Sequence, residues 1–439
     1  MKYNRWFAVA GALLIQVSLG AIYIYSIFKP ALKEHFPTWS ATDLALPAQA
    51  LLAFGALTMI AAGKIQDRIG PKKTAVIGAF LLLLGMFIAA KAQTLAQFVF
   101  GFGVLSGIGI YTAYVCPIAT CVKWFPDKRG LITGLAVAGF GAGGLVFAPL
   151  ASYFIATIGI MATLFYLGLI YFIAIIIGAQ LLRVPPAGYC PTGWTPPVRQ
   201  SSFEKIVKID YSTREMIRTR QFWILWLTYF IGCTAGLLVI MNLVNIWQSV
   251  SIAHLSKNGA LSATTFSGII SVGALAVMIV SILNSSGRII WGKISDSVGR
   301  KKTIVSIFLI CGIALLALNA LSAFPAFVTG VAVIGFCFGG FLALYPAITA
   351  DYFGTKNVGA NYGLMFSAYG AGGLLGPWLG PKLMSGIQKI PYEAIDKTGA
   401  IIAKTIEIGT YFRSFLLAGI FCLLAAFLIA KLKPLASKN

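Results

Sequence analysis

The chain has 439 residues, 59% of them hydrophobic and only 10% charged, with 34 Lys and Arg against 12 Asp and Glu. Soluble chains carry about a quarter charged residues to cover their surfaces, so a soluble enzyme is excluded and a bilayer must be the solvent. The net charge of +22 suits basic residues gathered in loops on one side of a membrane, and no basic cluster is long enough to track nucleic acid.

A spanning helix needs about 20 largely apolar residues. Twelve stretches qualify, at 6–28, 45–63, 74–92, 96–122, 131–153, 160–182, 221–247, 265–291, 303–323, 325–349, 362–384 and 411–431; they are numbered here as spans 1 to 12. Lys2 and Arg5 precede span 1 as in a secretory signal. The apolar run is too long for one and continues past Ser18 and Gly20, so span 1 is expected to stay attached. With twelve spans both termini lie on one side. That side holds 24 of the 34 Lys and Arg and the other nine, with Arg288 inside span 8. The asymmetry predicts cytoplasmic termini in a cell (inner) membrane.

Between spans 6 and 7, Pro185, Pro186, Pro191, Pro196 and Pro197 stop the helix and extend the chain. Residues 202–219 then have the pattern of an amphipathic helix on the membrane surface. The expected organisation is a six-helix bundle over 1–184, a linker over 185–219 and a second bundle over 220–439. The predicted class is an all-α membrane protein with 12 transmembrane helices in two pseudo-symmetric six-helix bundles. Six of the seven cysteines lie in or at the end of apolar stretches and Cys190 in a polar loop, which is no disulfide framework. Neither His35 nor His254 has a second ligand at helical spacing, so no metal and no cofactor is expected.

The two halves repeat. Residues 63–73 read GKIQDRIGPKK and residues 292–302 read GKISDSVGRKK, so Gly63 and Gly292, and Asp67 and Asp296, differ by 229. The same offset relates Pro117 to Pro346, Gly134-Leu135 to Gly363-Leu364, and Gly141–Leu145 to Gly370–Leu374. A parallel repeat of six spans suits a carrier with a midplane site between its halves.

The paired loops between spans 2 and 3 and between spans 8 and 9 resemble the loop signature of the major facilitator superfamily. The resemblance implies that Asp67 and Asp296 sit at the N-terminus of a neighbouring helix, where a carboxylate is favoured. Basic residues beside them, Arg68 and Arg300, are then expected to pair across the bundle seam and hold one gating state; the alternative is a basic loop that only fixes topology. Five further segments are similar to the oxalate:formate antiporter family, which includes bacterial lactate and pyruvate carriers. They are Lys123-Trp-Phe-Pro-Asp-Lys-Arg-Gly130, Pro185-Pro-Ala-Gly-Tyr189, Arg214 to Trp223, Asp351-Tyr-Phe-Gly354 and Asn361-Tyr-Gly363.

All twelve carboxylates fall in loops or at helix ends, and among basic residues only Arg288 is well inside a span. An unpaired charge there costs several kcal/mol. A transported carboxylate is one partner, through bidentate hydrogen bonds; snorkelling to the headgroups is the other resolution. The resemblance favours the first, because related carriers place a span-8 arginine on the substrate. Asn284 lies one turn earlier on the same face, where some relatives carry an aspartate linked to proton coupling. The resemblance also points Tyr23 and Tyr114 at the anion. Tyr345, Phe338, Phe366, Tyr369 and Phe140 are further candidates for the cavity wall, with lipid- or core-facing roles as the alternative. Oxalate exchangers carry a lysine in span 11 that aligns with Tyr369, and no Lys or Arg occurs between Asn361 and Pro381.

The expected function is a monomeric secondary carrier of small monocarboxylates of the lactate, pyruvate or formate type, by proton symport or anion exchange. Oxalate:formate-type dicarboxylate exchange is the alternative. The expected partners are the small carboxylate, protons and membrane lipids, with no nucleic acid. No intramembrane carboxylate pair, histidine or P-loop is present to support a membrane enzyme or ATP-driven pump.

Overall fold

In a bilayer every backbone N–H and C=O must be satisfied within the protein, and helices do this locally. The computed structural model describes residues 4–20, 24–40, 43–44, 46–186, 188–191, 210–255, 262–395 and 401–433. Among them, eight helices are each long and apolar enough to cross a membrane. One of these, Arg129–Gln180, contains both spans 5 and 6, broken where Gly159 takes φ 77°. The others are Pro71–Ala90, Leu95–Trp124, Arg220–Leu255, Ala263–Val298, Arg300–Ala317, Phe324–Phe353 and Phe412–Ala430, which are spans 3, 4, 7, 8, 9, 10 and 12.

Spans 1, 2 and 11 complete the twelve, and spans 2 and 11 are interrupted. Span 1 comprises Trp6–Leu19 and Tyr25–His35. Span 2, Leu46–Ile69, bends by 41° near Gly55. Span 11 comprises Val358–Met365 and Ser367–Lys382, the second piece carrying Pro377 and Pro381. The structure is thus twelve helices in two bundles, with spans 7 and 8 several residues longer than their apolar stretches. Large side chains such as Leu57, Leu145, Trp378 and Phe427 are exposed, as lipid-facing residues should be.

The turns that close each loop repeat are set by glycine. Gly70 (φ 89°) precedes Pro71, the first residue of span 3, and Gly299 (φ 96°) precedes Arg300, the first residue of span 9. Both conformations lie in the left-handed region that other residues avoid.

The helical class holds, with one element that it did not include: a β-hairpin between spans 11 and 12, in which β1 (Ser385–Ile395) pairs antiparallel with β2 (Ile401–Thr410). Its alternating sequence, with Ile406 and Ile408 between Thr405, Glu407 and Gly409, has the period of a strand. Ile408 is buried, Lys389 and Glu407 form an exposed ion pair at 3.5 Å, and Tyr392 stacks on Phe266 of span 8. The amphipathic helix expected over 202–219 falls partly outside the described residues, and of 210–219 only Thr213–Met216 is helical. Here the chain is tied down instead. Asp210 accepts from the Lys356 N–H, the Tyr211 N–H donates to the Phe353 carbonyl, and the Tyr211 carbonyl accepts from Asn357 and Asn361.

The stack of Tyr392 on Phe266, centroids 3.8 Å apart, should anchor the hairpin. Tyr392→Ala is expected to destabilise the protein by about 1 kcal/mol, read as a lower apparent melting temperature in detergent, whereas Tyr392→Phe should leave it unchanged.

Candidate functional site

The halves meet along two seams, span 2 against span 11 and span 5 against span 8. A side chain on Gly63 would collide with the Gly359 backbone, and one on Gly292 with the Gly130 backbone. Residues 130 and 359 are themselves separated by 229, so the sequence repeat is an approximate two-fold in space. Asp67 accepts from the Gly359 and Ala360 N–H groups at 3.3 and 2.8 Å. Asp296 accepts from Gly130 and Leu131 at 2.9 and 2.8 Å. Each carboxylate therefore caps a helix of the opposite half, where unsatisfied N–H groups and the helix dipole favour an anion.

Side-chain charges break this symmetry. On the span 5/8 side, Arg300 pairs with Asp296 at 2.6 Å and Asp351 at 2.9 Å, and Arg129 reaches Asp351 at 2.6 Å. On the other side, among the described residues, only Lys123 approaches Asp67, at 3.7 Å. Arg68 is exposed and makes no ion pair among the described residues, because it lies on the solvent side of the span 2 terminus. Burial pushes the Asp67 carboxyl above the usual range, outweighing the Ala360 N–H and Lys123. Burial acts the same way on Asp351, but Arg129 and Arg300 overcome it and hold that carboxyl low.

Arg288 lies deeper, ten residues before the end of its helix at Val298, which is about 15 Å at 1.5 Å per residue. It is 1% exposed. Its Nη1 donates to the Val137 carbonyl of span 5 at 2.7 Å, and its Nε donates to Asn284 Oδ1 at 3.2 Å. Gly134 lets span 5 pack against the Arg288 carbonyl, and Gly141 leaves room beside the guanidinium. Among the described residues no carboxylate lies within 4.0 Å of it. Two of its five N–H donors thus bond neutral oxygens, and none meets an opposite charge.

Four of the remaining candidates form a chain of rings that runs from span 5 through span 4 to span 11. Tyr114 meets Phe140 edge-on at 5.1 Å and Phe366 at 5.4 Å, and Phe366 stacks on Tyr369 at 4.7 Å. Phe338 and Tyr345 turn towards span 7, the first against Gly236 and the second donating to Thr228 Oγ1 at 2.7 Å. Tyr23 lies outside the described residues. Three features escaped the sequence reading: the Arg129–Asp351–Arg300 cluster, buried Gln16 bonded to the Tyr114 carbonyl, and the buried phenols Tyr229 and Tyr362. Arg129 and Asp351 stand in the quoted motifs, but nothing in their spacing announces a contact. Among the described residues no group of three His, Cys, Asp or Glu could hold a metal.

Residues 11–286 and 271–439 each match the model of the Major Facilitator Superfamily. An uncharacterised MFS-type transporter of Escherichia coli, YhjX, is 31% identical over 84% of this chain and 86% of its own. The oxalate:formate antiporter of Oxalobacter formigenes is 29% identical, covering 86% and 84%. Apicoplast pyruvate carrier 1 of Toxoplasma gondii is 28% identical, covering 71% and 64%. In fold, the chain is similar to the crystal structure of the transporter FucP, with a TM-score of 0.67 and 14% identity over 98% of this chain and 99% of that one.

Asp351 pairs with two arginines in the seam while remaining about a quarter exposed. Asp351→Asn should therefore destabilise this state by about 2 kcal/mol, less than a fully buried pair loses. The drop in apparent melting temperature should be partly recovered in Asp351→Asn/Arg129→Gln, which removes one of the opposed charges.

Proposed function

The chain belongs to the major facilitator superfamily, and we propose that within it this protein is a secondary carrier of small monocarboxylates working by alternating access. One observation carries this reading: Arg288 is buried at the seam, with no carboxylate among the described residues to neutralise it. Three of its N–H donors are left for a ligand, enough for the paired hydrogen bonds that a planar guanidinium makes with a carboxylate. Asn284 steers the fork by holding Nε, while Tyr114, Phe140, Phe366 and Tyr369 wall the neighbouring space.

Oxalate:formate exchange is the second reading, favoured by the Oxalobacter relative. Charge argues against it. One arginine balances one carboxylate, and a dianion would leave a net negative charge in a dry cavity at a cost of several kcal/mol. Tyr369, stacked on Phe366, offers a hydroxyl and no charge. Coupling follows from the same inventory. With every Asp and Glu in a loop or at a helix end, a proton travels with the substrate, or one anion exchanges for another.

The paired loops supply the gate in this proposal. Gly63 and Gly292 admit close backbones, Asp67 and Asp296 cap the opposing helices, and Arg300 adds charge to one side; Arg68 has no ion-pair partner among the described residues. The Lys and Arg distribution supports a cell membrane location with cytoplasmic termini, and a monomer contains both halves of the site.

In proteoliposomes, Arg288→Ala should lower monocarboxylate uptake to background with near-normal insertion, and Arg288→Lys should also be poor because an ammonium lacks the planar fork. Robust uptake by the alanine variant would return Arg288 to snorkelling. Excess lactate or pyruvate should compete strongly and excess oxalate weakly; equal competition would refute the single-charge argument.

The Asp67 shift gives a signed pH effect. Its carboxyl is raised in the closed seam and returns to about 4 when solvated, so proton uptake favours closure as pH falls towards the raised value. Asp351 is depressed, so its contribution to closure persists to lower pH and disappears only as pH falls through the carboxylate range. Between pH 7 and pH 5, rate-corrected hydrogen exchange at Gly359 and Ala360 should therefore slow in the wild type and stay level in Asp67→Asn.

A further inference from the structure

In the two turns before Arg288, span 8 carries three serines, and they do not behave alike. Ser281 and Ser286 turn their hydroxyls back onto their own helix, donating to the Val277 and Ile282 carbonyls at 2.8 Å each. That is the ordinary resting place of a serine within a helix. Ser285 makes no such bond, and its hydroxyl has no hydrogen-bond partner among the described residues. The residue is half-buried, and its hydroxyl faces span 5 instead.

Gly141 of span 5 locates that hydroxyl. A side-chain carbon on Gly141 would lie 2.6 Å from Ser285 Oγ and 3.5 Å from both the guanidinium carbon and Nη1 of Arg288. Hydroxyl and guanidinium therefore meet span 5 at one spot and lie no more than about 6 Å apart. The guanidinium is fixed there by Val137, one turn earlier on the same face, whose carbonyl accepts from Nη1 at 2.7 Å. None of this polar set recurs at the other seam. At the offset of 229, Asn284, Ser285 and Arg288 correspond to Gly55, Ala56 and Met59. The hydroxyl accompanies the charge and is not part of the repeated scaffold.

An acid with an oxygen on its second carbon presents that oxygen directly beside its carboxylate. Two hydrogen bonds of about 2.8 Å, one from the guanidinium to the carboxylate and one from Ser285 to the second oxygen, then bridge the two side chains. A serine hydroxyl both donates and accepts, so it can serve a ketone oxygen or an alcohol. We propose that Ser285 binds the 2-position oxygen of a 2-oxo or 2-hydroxy monocarboxylate whose carboxylate is held by Arg288. Gly141 keeps the two groups together, because any side chain there would displace the hydroxyl. This rests on the carrier reading and narrows it: acids with an oxygen at the second carbon are preferred over unsubstituted acids of the same length and charge.

The test is uptake of pyruvate, lactate and propionate, three monoanions of three carbons, by wild type, Ser285→Ala and Ser286→Ala in proteoliposomes. The wild type should favour pyruvate and lactate. Ser285→Ala should lower their uptake by about five- to tenfold, corresponding to a hydrogen bond of ordinary strength, and leave propionate within about twofold. Ser286→Ala, which loses only a bond to its own helix, should leave the ratio among the acids unchanged. Alanine suits a helix and the Ser285 hydroxyl has no partner to lose among the described residues, so Ser285→Ala should melt no lower than wild type. Equal loss for all three acids in Ser285→Ala, or an unchanged ratio among them, would overturn the subsite; if uptake still required Arg288, the carrier reading would stand. The same change of ratio in Ser286→Ala, or a wild type that does not discriminate the acids, would overturn the subsite too. Retained uptake of all three acids by Arg288→Ala would sink the carboxylate anchor and the subsite measured from it. A wild type taking up no monocarboxylate would refute the carrier reading itself.

Discussion

Close backbone approach across the seams is the constraint from which the rest follows. Gly63 and Gly292 leave no room for a side chain against Gly359 and Gly130, and only at that spacing can a loop carboxylate reach the exposed N–H groups of the facing helix. Asp67 and Asp296 do so at four hydrogen bonds, all between 2.8 and 3.3 Å. Glycine thus provides proximity, and the helix terminus provides hydrogen-bond donors that offset part of the cost of burying each carboxylate in the closed seam. The left-handed turns at Gly70 and Gly299 aim each loop so that both can act together.

Function begins where the two-fold fails. The halves superpose Gly134 on Gly363 and Asp296 on Asp67, yet Arg288 corresponds to Met59, Val137 to Phe366 and Phe140 to Tyr369. One seam therefore holds a cation against a carbonyl, and the other has a buried thioether at the corresponding position. The ion pairs are lopsided in the same sense, with Asp351 and Asp296 around Arg300 on one side and Lys123 alone near Asp67 on the other. On the proposed reading, a duplicated scaffold supplies the motion, and single substitutions between its copies supply a binding site with a direction.

Much of this was legible in the sequence because the bilayer simplifies the code. Apolar length set all twelve spans, and the constant offset set the two-fold, since a repeat in sequence must become a repeat in space. Arg288 stood out because charge is so rare there. What stayed hidden depends on contacts between distant segments. Arg129 and Asp351 are 222 residues apart, and both look like ordinary loop charges. Tyr229 and Tyr362 sit in apolar runs where tyrosine is common, and only their complete burial distinguishes them. The hairpin was missed for a different reason: its strand period lies outside the membrane, where the rule of twenty apolar residues says nothing, and Tyr392 finds its partner on Phe266 of another span.

On the proposed reading, the empty site has its own consequence for energetics. A loaded site with one arginine and one carboxylate is neutral, but an empty one carries the Arg288 charge supported only by Val137 and Asn284. Turning the loaded carrier over therefore moves little net charge through the membrane field. Turning the empty carrier over moves a cation through part of it, and a full elementary charge costs about 2.3 kcal/mol per 100 mV. The dipoles around the guanidinium must also be exchanged for others as the seams part. The empty step is then the slow one, and a second anion binding from the far side relieves it. A carrier built around one uncompensated arginine is biased towards exchange by its charge alone, and net uptake requires the empty, cationic site to turn over with no anion to balance it.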